Sequence, residues 1–521
     1  YVHRSPDGGR TWEVISPDLT TNKDDYQNIP GEPIQHDHTG VELYTTIFAF
    51  EESPRTPGEL WAGSDDGLLH LSRDNGKSWQ NITPANVPTE GTINMIELSA
   101  HAPGRALIAV YKYRENDFRP YIFLTNDYGK NWKLLTSGKN GIPEDYFVRV
   151  VREDPYKKGL LYAGTEFGMF FSPDEGSNWY PFQLNLPITP ITDMLIKNKD
   201  LVVATQGRSF WIMDDLSPLH QIDLKGDKLK TALLKPETAY RTQLSNFRGN
   251  NAPDPAPNGA VIYFTLENSE AKVSLKIADA KGQVRRVFST KPDRSQNEGR
   301  LNVQKGLNRF VWDLKYEGLN PQPGSFFSLA NTGGIMAPTG QHTLILEVGE
   351  ASYTQPLKVA KDPRWTLSDE DLMAQYELGM AIKTRFNACH DMIGRLRTLR
   401  NQVKDAATRS KELGLNSEIQ TKARSIANRF DQLEAKLIQT KNEAGQDPIN
   451  YPSMIDDQFA YLYSVVNAQD DRPNQGAYDR LEDLSKALAV LEAEFKQILD
   501  TELVPFNTYL SASGLTLIDS K

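Results

Sequence analysis

A multidomain β + α chain is the fold class the sequence predicts, with a partial β-propeller, a β-sandwich and an antiparallel helical bundle in that order. Three observations carry it: an eight-residue phrase written four times before residue 180, strand-like alternation after residue 260, and apolar residues at steps of three and four after residue 366.

The phrase is Ser/Thr-x-Asp-x-Gly-x-Ser/Thr/Asn-Trp, at Ser5-Asp7-Gly9-Trp12, Ser72-Asp74-Gly76-Trp79, Thr125-Asp127-Gly129-Trp132 and Ser172-Asp174-Gly176-Trp179. An Asp that opens a tight turn accepts hydrogen bonds from N–H groups further along, and the Gly takes a positive φ that a Cβ penalises. Apolar runs on both sides, such as 67–71 and 79–82, make the phrase the tip of a β-hairpin. A tryptophan at one fixed offset in every copy is expected to wedge between neighbouring repeats, so Asp7, Trp12, Asp74, Trp79, Asp127, Trp132, Asp174 and Trp179 are expected to be structural.

Each phrase sits in a larger unit. The run 58–67 recurs at 159–168 and again at 201–207, and apolar runs upstream (44–50, 93–98, 147–151, 191–196) give four strands per unit, the mark of a propeller blade. The count does not close. Residues 1–16 supply the outer two strands of a blade, 44–182 three full blades and 191–213 three strands more, so further N-terminal blades are expected outside this chain, which begins with Tyr1 and not with Met.

The phrase resembles the Asp-box, or bacterial neuraminidase (BNR) repeat, of sialidases, xyloglucan-cleaving glycosidases and sortilin-like receptors. The run 205–215, the sandwich and the helix around 457–463 are similar to a large group of bacterial proteins labelled glycosyl hydrolases with sortilin-like propellers. That resemblance implies an exported protein of the periplasm or cell surface, its export signal outside this chain. It marks fold more sharply than function, because these families do different things.

Expected domains are the C-terminal part of a propeller at 1–223, a linker at 224–259, an immunoglobulin- or fibronectin-like sandwich at 260–362 and a helical bundle at 363–521. The linker expectation rests on the Pro- and Gly-rich run 246–259. In the bundle, Ile382, Phe386, Cys389, Ile393, Leu396, Leu399 and Val403 form one apolar face, and Ser368 followed by three acids suits a helix start. Cys389, the single cysteine, falls on that face and reads as core.

A net charge of −10 argues against nucleic acid, whose phosphates need a concentrated basic surface, and no apolar run reaches the length of a membrane helix. The site candidates lie in loops. The stretch 33–42 lengthens the interval between the first two phrases, and long insertions on a rigid scaffold often bind ligands. Its His36, Asp37, His38 and Glu42 are binding-loop candidates, and His36 and His38 with Asp37 or Glu42 could ligate zinc or a similar ion; no cofactor is expected, although a calcium or zinc ion could be bound. Arg149 and Arg208 lie near strand starts and could face a central cavity. Asp65, Asp66 and Glu166 read as solvated turn residues. Two functions follow: a binding or scaffold protein for a protein, peptide or glycan partner, or a glycoside hydrolase whose carboxyl pair lies partly outside this chain.

Overall fold

The computed structural model describes residues 1–27, 44–225, 229–242, 256–293, 296–327, 329–441, 446–447 and 450–518. The chain divides into two compact units, Tyr1–Asp227 and Lys228–Lys521.

The first unit is a series of antiparallel sheets built in chain order. A hairpin of β1 (His3–Arg4) and β2 (Glu13–Val14) is followed by the sheet β3 (Ile47–Glu52), β4 (Leu60–Ser64), β5 (Leu69–Ser72), β6 (Gln80–Asn81). Next come β7 (Thr92–Leu98), β8 (Ala106–Lys112), β9 (Asp117–Thr125), β10 (Lys133–Leu134), then β11 (Val148–Glu153), β12 (Leu161–Thr165), β13 (Gly168–Ser172), β14 (Tyr180–Pro181), then β15 (Ile191–Lys197), β16 (Asp200–Thr205), β17 (Phe210–Met213), and the short helix α1 (Ser217–Gln221). The first strands β3, β7, β11 and β15 touch one another in turn, so the array is propeller-like, with these strands innermost.

The repeated phrase closes the outer hairpin of each sheet. Asp74 Oδ1 accepts from the Ser78 N–H at 2.9 Å while Oδ2 accepts from the Ser78 hydroxyl at 2.6 Å, and the Ser72 hydroxyl accepts from the Gly76 N–H at 2.8 Å. The other copies repeat the pattern with Thr11, Asn131 and Asn178 as donors. Those donors hold the Asp7, Asp74 and Asp127 carboxyls below the usual range; at Asp174 burial opposes and Asn178 prevails.

The tryptophan then reaches into the sheet before it. Trp79 Nε1 donates to Ile15 O at 2.9 Å, Trp132 to Ile82 O at 3.0 Å and Trp179 to Leu135 O at 3.2 Å. The glycine permits that approach: a Cβ on Gly76 would lie 2.8 Å from Ile15 O. Trp12 meets no preceding sheet in the described residues; its indole donates to Gly9 O within its own turn, and it is 63% exposed. A buried network adds a second seam, in which Arg105 Nη2 lies 2.8 Å from Glu153 Oε1 and the Ser99 hydroxyl donates to Glu153. Burial opposes ionisation there, but Arg105 and Ser99 hold the Glu153 carboxyl below its usual range.

Both end sheets present apolar side chains to solvent. Phe50 pairs with Ala62, which packs on the first hairpin, and shares its face, yet Phe50 is 42% exposed because that hairpin brings no inner strand over it. On the last sheet Leu195, Val202 and Ile212 align across the strands, and Ile212 is 61% exposed.

The second unit contains two sheets and a helical region. One sheet orders β18 (Ala232–Leu233), β20 (Ala260–Leu266) and β24 (Gly306–Trp312); the other orders β19 (Ala239–Arg241), β26 (Ala351–Lys361), β25 (Gly340–Val348), β21 (Val273–Ala278), β22 (Val284–Ser289) and β23 (Gly299–Arg300). Two boundaries differ from the expectation. β18 and β19 arise from the stretch 224–259 that reads as a linker, because strands of two and three residues are too short to show alternation. Sheets and helices also share one continuous core, from Trp312 and Phe264 through Ile335 and Ile382 to Phe430 and Phe495. Arg241 pins the two parts: 1% exposed, it pairs with Asp470 and donates to Ala337 O at 3.2 Å.

Helix α2 (Asp369–Glu412) starts on a capping box between Ser368 and Asp371, and its predicted apolar face is buried, Cys389 included. It packs on α3 (Ser417–Leu437), α4 (Ile455–Val466) and α5 (Gln475–Ile498), after which a π-helical turn, Leu499–Leu503, leads into a short helix, Val504–Ala512. Inside this region burial pushes the Asp456 carboxyl up to about 7 and the His390 imidazole down to about 4. His390 Nδ1 accepts from the Gln322 N–H at 3.1 Å, and its Nε2 lies 3.7 Å from Asp456 Oδ2, beyond hydrogen-bonding distance.

Two outcomes are expected. Trp132→Ala loses about 2–4 kcal/mol in urea unfolding while Trp12→Ala stays within about 0.5 kcal/mol of the parent. A carboxyl whose folded pKa is raised costs stability once the unfolded chain ionises near pH 4, and the cost levels off above the folded value. Asp456→Asn therefore matches the parent near pH 4 and gains on it up to about pH 7, by at most a few kcal/mol, in urea midpoints measured across that range.

Candidate functional site

The first unit gathers its unusual side chains where inner strands of different sheets meet. Arg149, second residue of β11, is tied to Glu166 beyond the end of β12, with Nε 2.8 Å and Nη2 2.7 Å from Oε2. The guanidinium lies 5.0 Å from the Phe147 ring centre and 5.6 Å from that of Tyr113. Those two rings stack at 4.7 Å and 16°, and Tyr111 and Phe118 lean on Phe147 at 6.1 and 6.3 Å. Tyr146 and Phe167 pair alongside at 4.8 Å. Phe118 and Phe167 remain 42% and 45% exposed, so aromatic surface held by an ion pair faces solvent.

Tyr111 also lines a cavity of about 160 Å³ with Tyr44, Glu90, Thr92 and Arg114. Burial, then the charges of Glu90, Asp66 and Asp65, push the Tyr44 phenol up. Burial also raises the Asp65 carboxyl.

A second cluster draws one residue from each inner strand. Arg152 of β11 reaches Glu97 of β7 at 2.7 Å and Asp193 of β15 at 3.0 Å, and donates to Met194 O. Burial raises the carboxyls of Glu97 and of Glu51, on β3, against the pull of Arg152.

The predicted residues distribute unevenly. Arg149 joins the aromatic site. Arg208 sits exposed in the turn between β16 and β17, its carbonyl accepting from Trp211, and no bond joins it to Arg149 among the described residues. Asp65 and Asp66 are not solvated: they are 8% and 3% exposed and lock turns, Asp65 accepting from the Thr46 N–H and Asp66 from the Thr21 N–H and hydroxyl. Glu166 is the partner of Arg149. His36, Asp37, His38 and Glu42 lie outside the described residues. Among the described residues no group of three or more His, Cys, Asp or Glu side chains is placed to hold a metal ion, and no helix is long and apolar enough to cross a membrane. The inner cluster of Glu51, Glu97, Arg152 and Asp193 was missed by sequence reasoning, although a charge inside each apolar first strand was a visible signal.

No protein-family model matches the chain, and no curated protein matches it. Among solved structures, YCF48 bound to D1 peptide is similar at 19% identity over 50% of this chain and 67% of its own, with a TM-score of 0.26. The GH74 xyloglucanase from Xanthomonas campestris is similar at 13% identity over 50% of this chain and 39% of its own, with a TM-score of 0.30. YCF48 from Cyanidioschyzon merolae gives 17% identity over 43% and 68%, with a TM-score of 0.26. The match thus spans well under half of the xyloglucanase, and at these values the likenesses carry no argument about what this chain does.

Removing Arg152 leaves Glu97 buried without its partner. Arg152→Met is expected to lower stability by about 2–4 kcal/mol in urea unfolding, and adding Glu97→Gln to recover at least about half of that loss.

Proposed function

We propose that this chain is a binding or scaffold protein of the bacterial periplasm or cell surface whose blade array recognises a peptide, protein or glycan partner. The observation that carries the reading is the pair of solvent-facing rings Phe118 and Phe167, backed by the buried Phe147 and by the Arg149–Glu166 ion pair. Rigid rings bury much area on contact at little entropic cost, and they stack on sugar faces and peptide side chains alike. In the same reading the array is part of an Asp-box propeller, and the exposed faces at Phe50 and Ile212 are places where further blades pack.

One observation favours a second reading, a glycoside hydrolase. Glu51 and Glu97 stand on neighbouring inner strands with raised carboxyl pKa values, as a general acid needs.

Full-length protein screened against a displayed peptide library and a glycan array is expected to enrich a ligand that loses about tenfold or more in affinity to both Phe167→Ala and Arg149→Ala. A screen that enriches nothing, or a ligand indifferent to both substitutions, overturns the binding reading. Turnover of a glycoside panel that Glu97→Gln abolishes would establish the hydrolase instead.

A further inference from the structure

The second unit holds a polar cavity of about 530 Å³, within the range of small-ligand sites. Its walls come from five stretches: the end of β19 with Tyr240 and Thr242, residues 258–259, the segments 313–315 and 331–336, and the end of α4 with Ser464 and, just beyond it, Asn467.

These walls are fixed from behind. β19 pairs with β26, and Arg241 between Tyr240 and Thr242 is held by Asp470 and Ala337 O. The Tyr463 hydroxyl donates to Gly333 O at 3.0 Å and the Ser464 hydroxyl to Asn331 O at 3.2 Å, so the segment containing residue 331 is sewn to α4. A cavity whose walls are already bonded to each other loses little entropy when a ligand enters.

The chemistry inside selects the ligand. Asn467 donates its amide N–H to Tyr463 O at 2.8 Å, leaving Oδ1 to accept. Asp313 Oδ1 takes the Lys315 N–H at 3.1 Å, and both residues line the cavity while remaining exposed to solvent. Carboxylate and ammonium balance in charge, which disfavours an anion or a cation as the guest. What remains is an alternation of acceptors and donors, Thr242, Asp313, Lys315 and Asn467, with the half-exposed Tyr240 ring among the lining residues. Vicinal hydroxyls match paired donors and acceptors on planar side chains, and the C–H face of a sugar ring packs on a phenol.

We propose that this cavity is a saccharide-binding site for a neutral mono- or disaccharide unit, separate from the aromatic patch of the first unit and independent of its function. Full-length protein is titrated by calorimetry and saturation-transfer NMR with glucose, galactose, mannose, N-acetylglucosamine, xylobiose, cellobiose and maltose. The expected result is binding of at least one of them, weakened about tenfold or more by Tyr240→Ala and by Asn467→Leu but unchanged by Phe167→Ala in the first unit. Circular dichroism of each variant checks that it folds, and Tyr240→Ala, which trims an exposed ring, keeps the test open if Asn467→Leu does not. No binding of any of these sugars at about 10 mM, roughly the limit of a specific weak site, overturns the proposal. So does binding that Tyr240→Ala and Asn467→Leu leave intact, or that Phe167→Ala alone removes.

Discussion

The bond from three of the four repeat tryptophans to a carbonyl of the sheet before is the constraint on which the first unit rests. Trp79 to Ile15, Trp132 to Ile82 and Trp179 to Leu135 repeat one geometry three times, each with the glycine of the phrase packed against the same residue of the preceding sheet. A lone hairpin is marginal in water; here each of these outer hairpins is stapled to its neighbour by an indole that buries area and satisfies a carbonyl in one step. Spacing between these sheets is thereby fixed at the outside, and the inner strands β3, β7 and β11 are carried into contact, with β15 packing on β11 without such a staple among the described residues.

That contact is what assembles the chemistry. Arg149 and Glu166 come from one sheet, Tyr111, Tyr113 and Phe118 from the sheet before it, and the Arg152 cluster from every inner strand. None of these groups is a neighbour in sequence of all the others. The price of such convergence is desolvation, visible in the raised carboxyls of Glu51 and Glu97, and Arg152 offsets part of it. The second unit uses a different device, a single arginine, Arg241, buried between sheet and helices.

The repeat and the hairpins were legible in the sequence because turn chemistry is local: Asp, Gly and a hydroxyl or amide at fixed offsets leave few alternatives. The long helix was legible for the same kind of reason, since the seam from Ile382 to Val403 keeps a helical period and Ser368 supplies its cap. What escaped depends on contacts between distant residues. Asp65 and Asp66 look like solvated turn acids until Thr46 and Thr21 close over them. β18 and β19 are too short to carry a period and exist through pairing with β20 and β26. At the site, Arg149 was recognisable from its place at a strand start, whereas its stacking on Phe147 and the convergence on Arg152 come only with the packing of the sheets.

Indole hydrogen exchange, read residue by residue through the Nε1–H signals of the full-length protein, tests the staple most directly. Protection is expected in the order Trp179, then Trp132 and Trp79, with Trp12 exchanging fastest because its bond to Gly9 O stays inside an exposed turn. If Trp79 and Trp132 exchange as fast as Trp12, the tryptophans do not hold the sheets together and the account of the first unit fails.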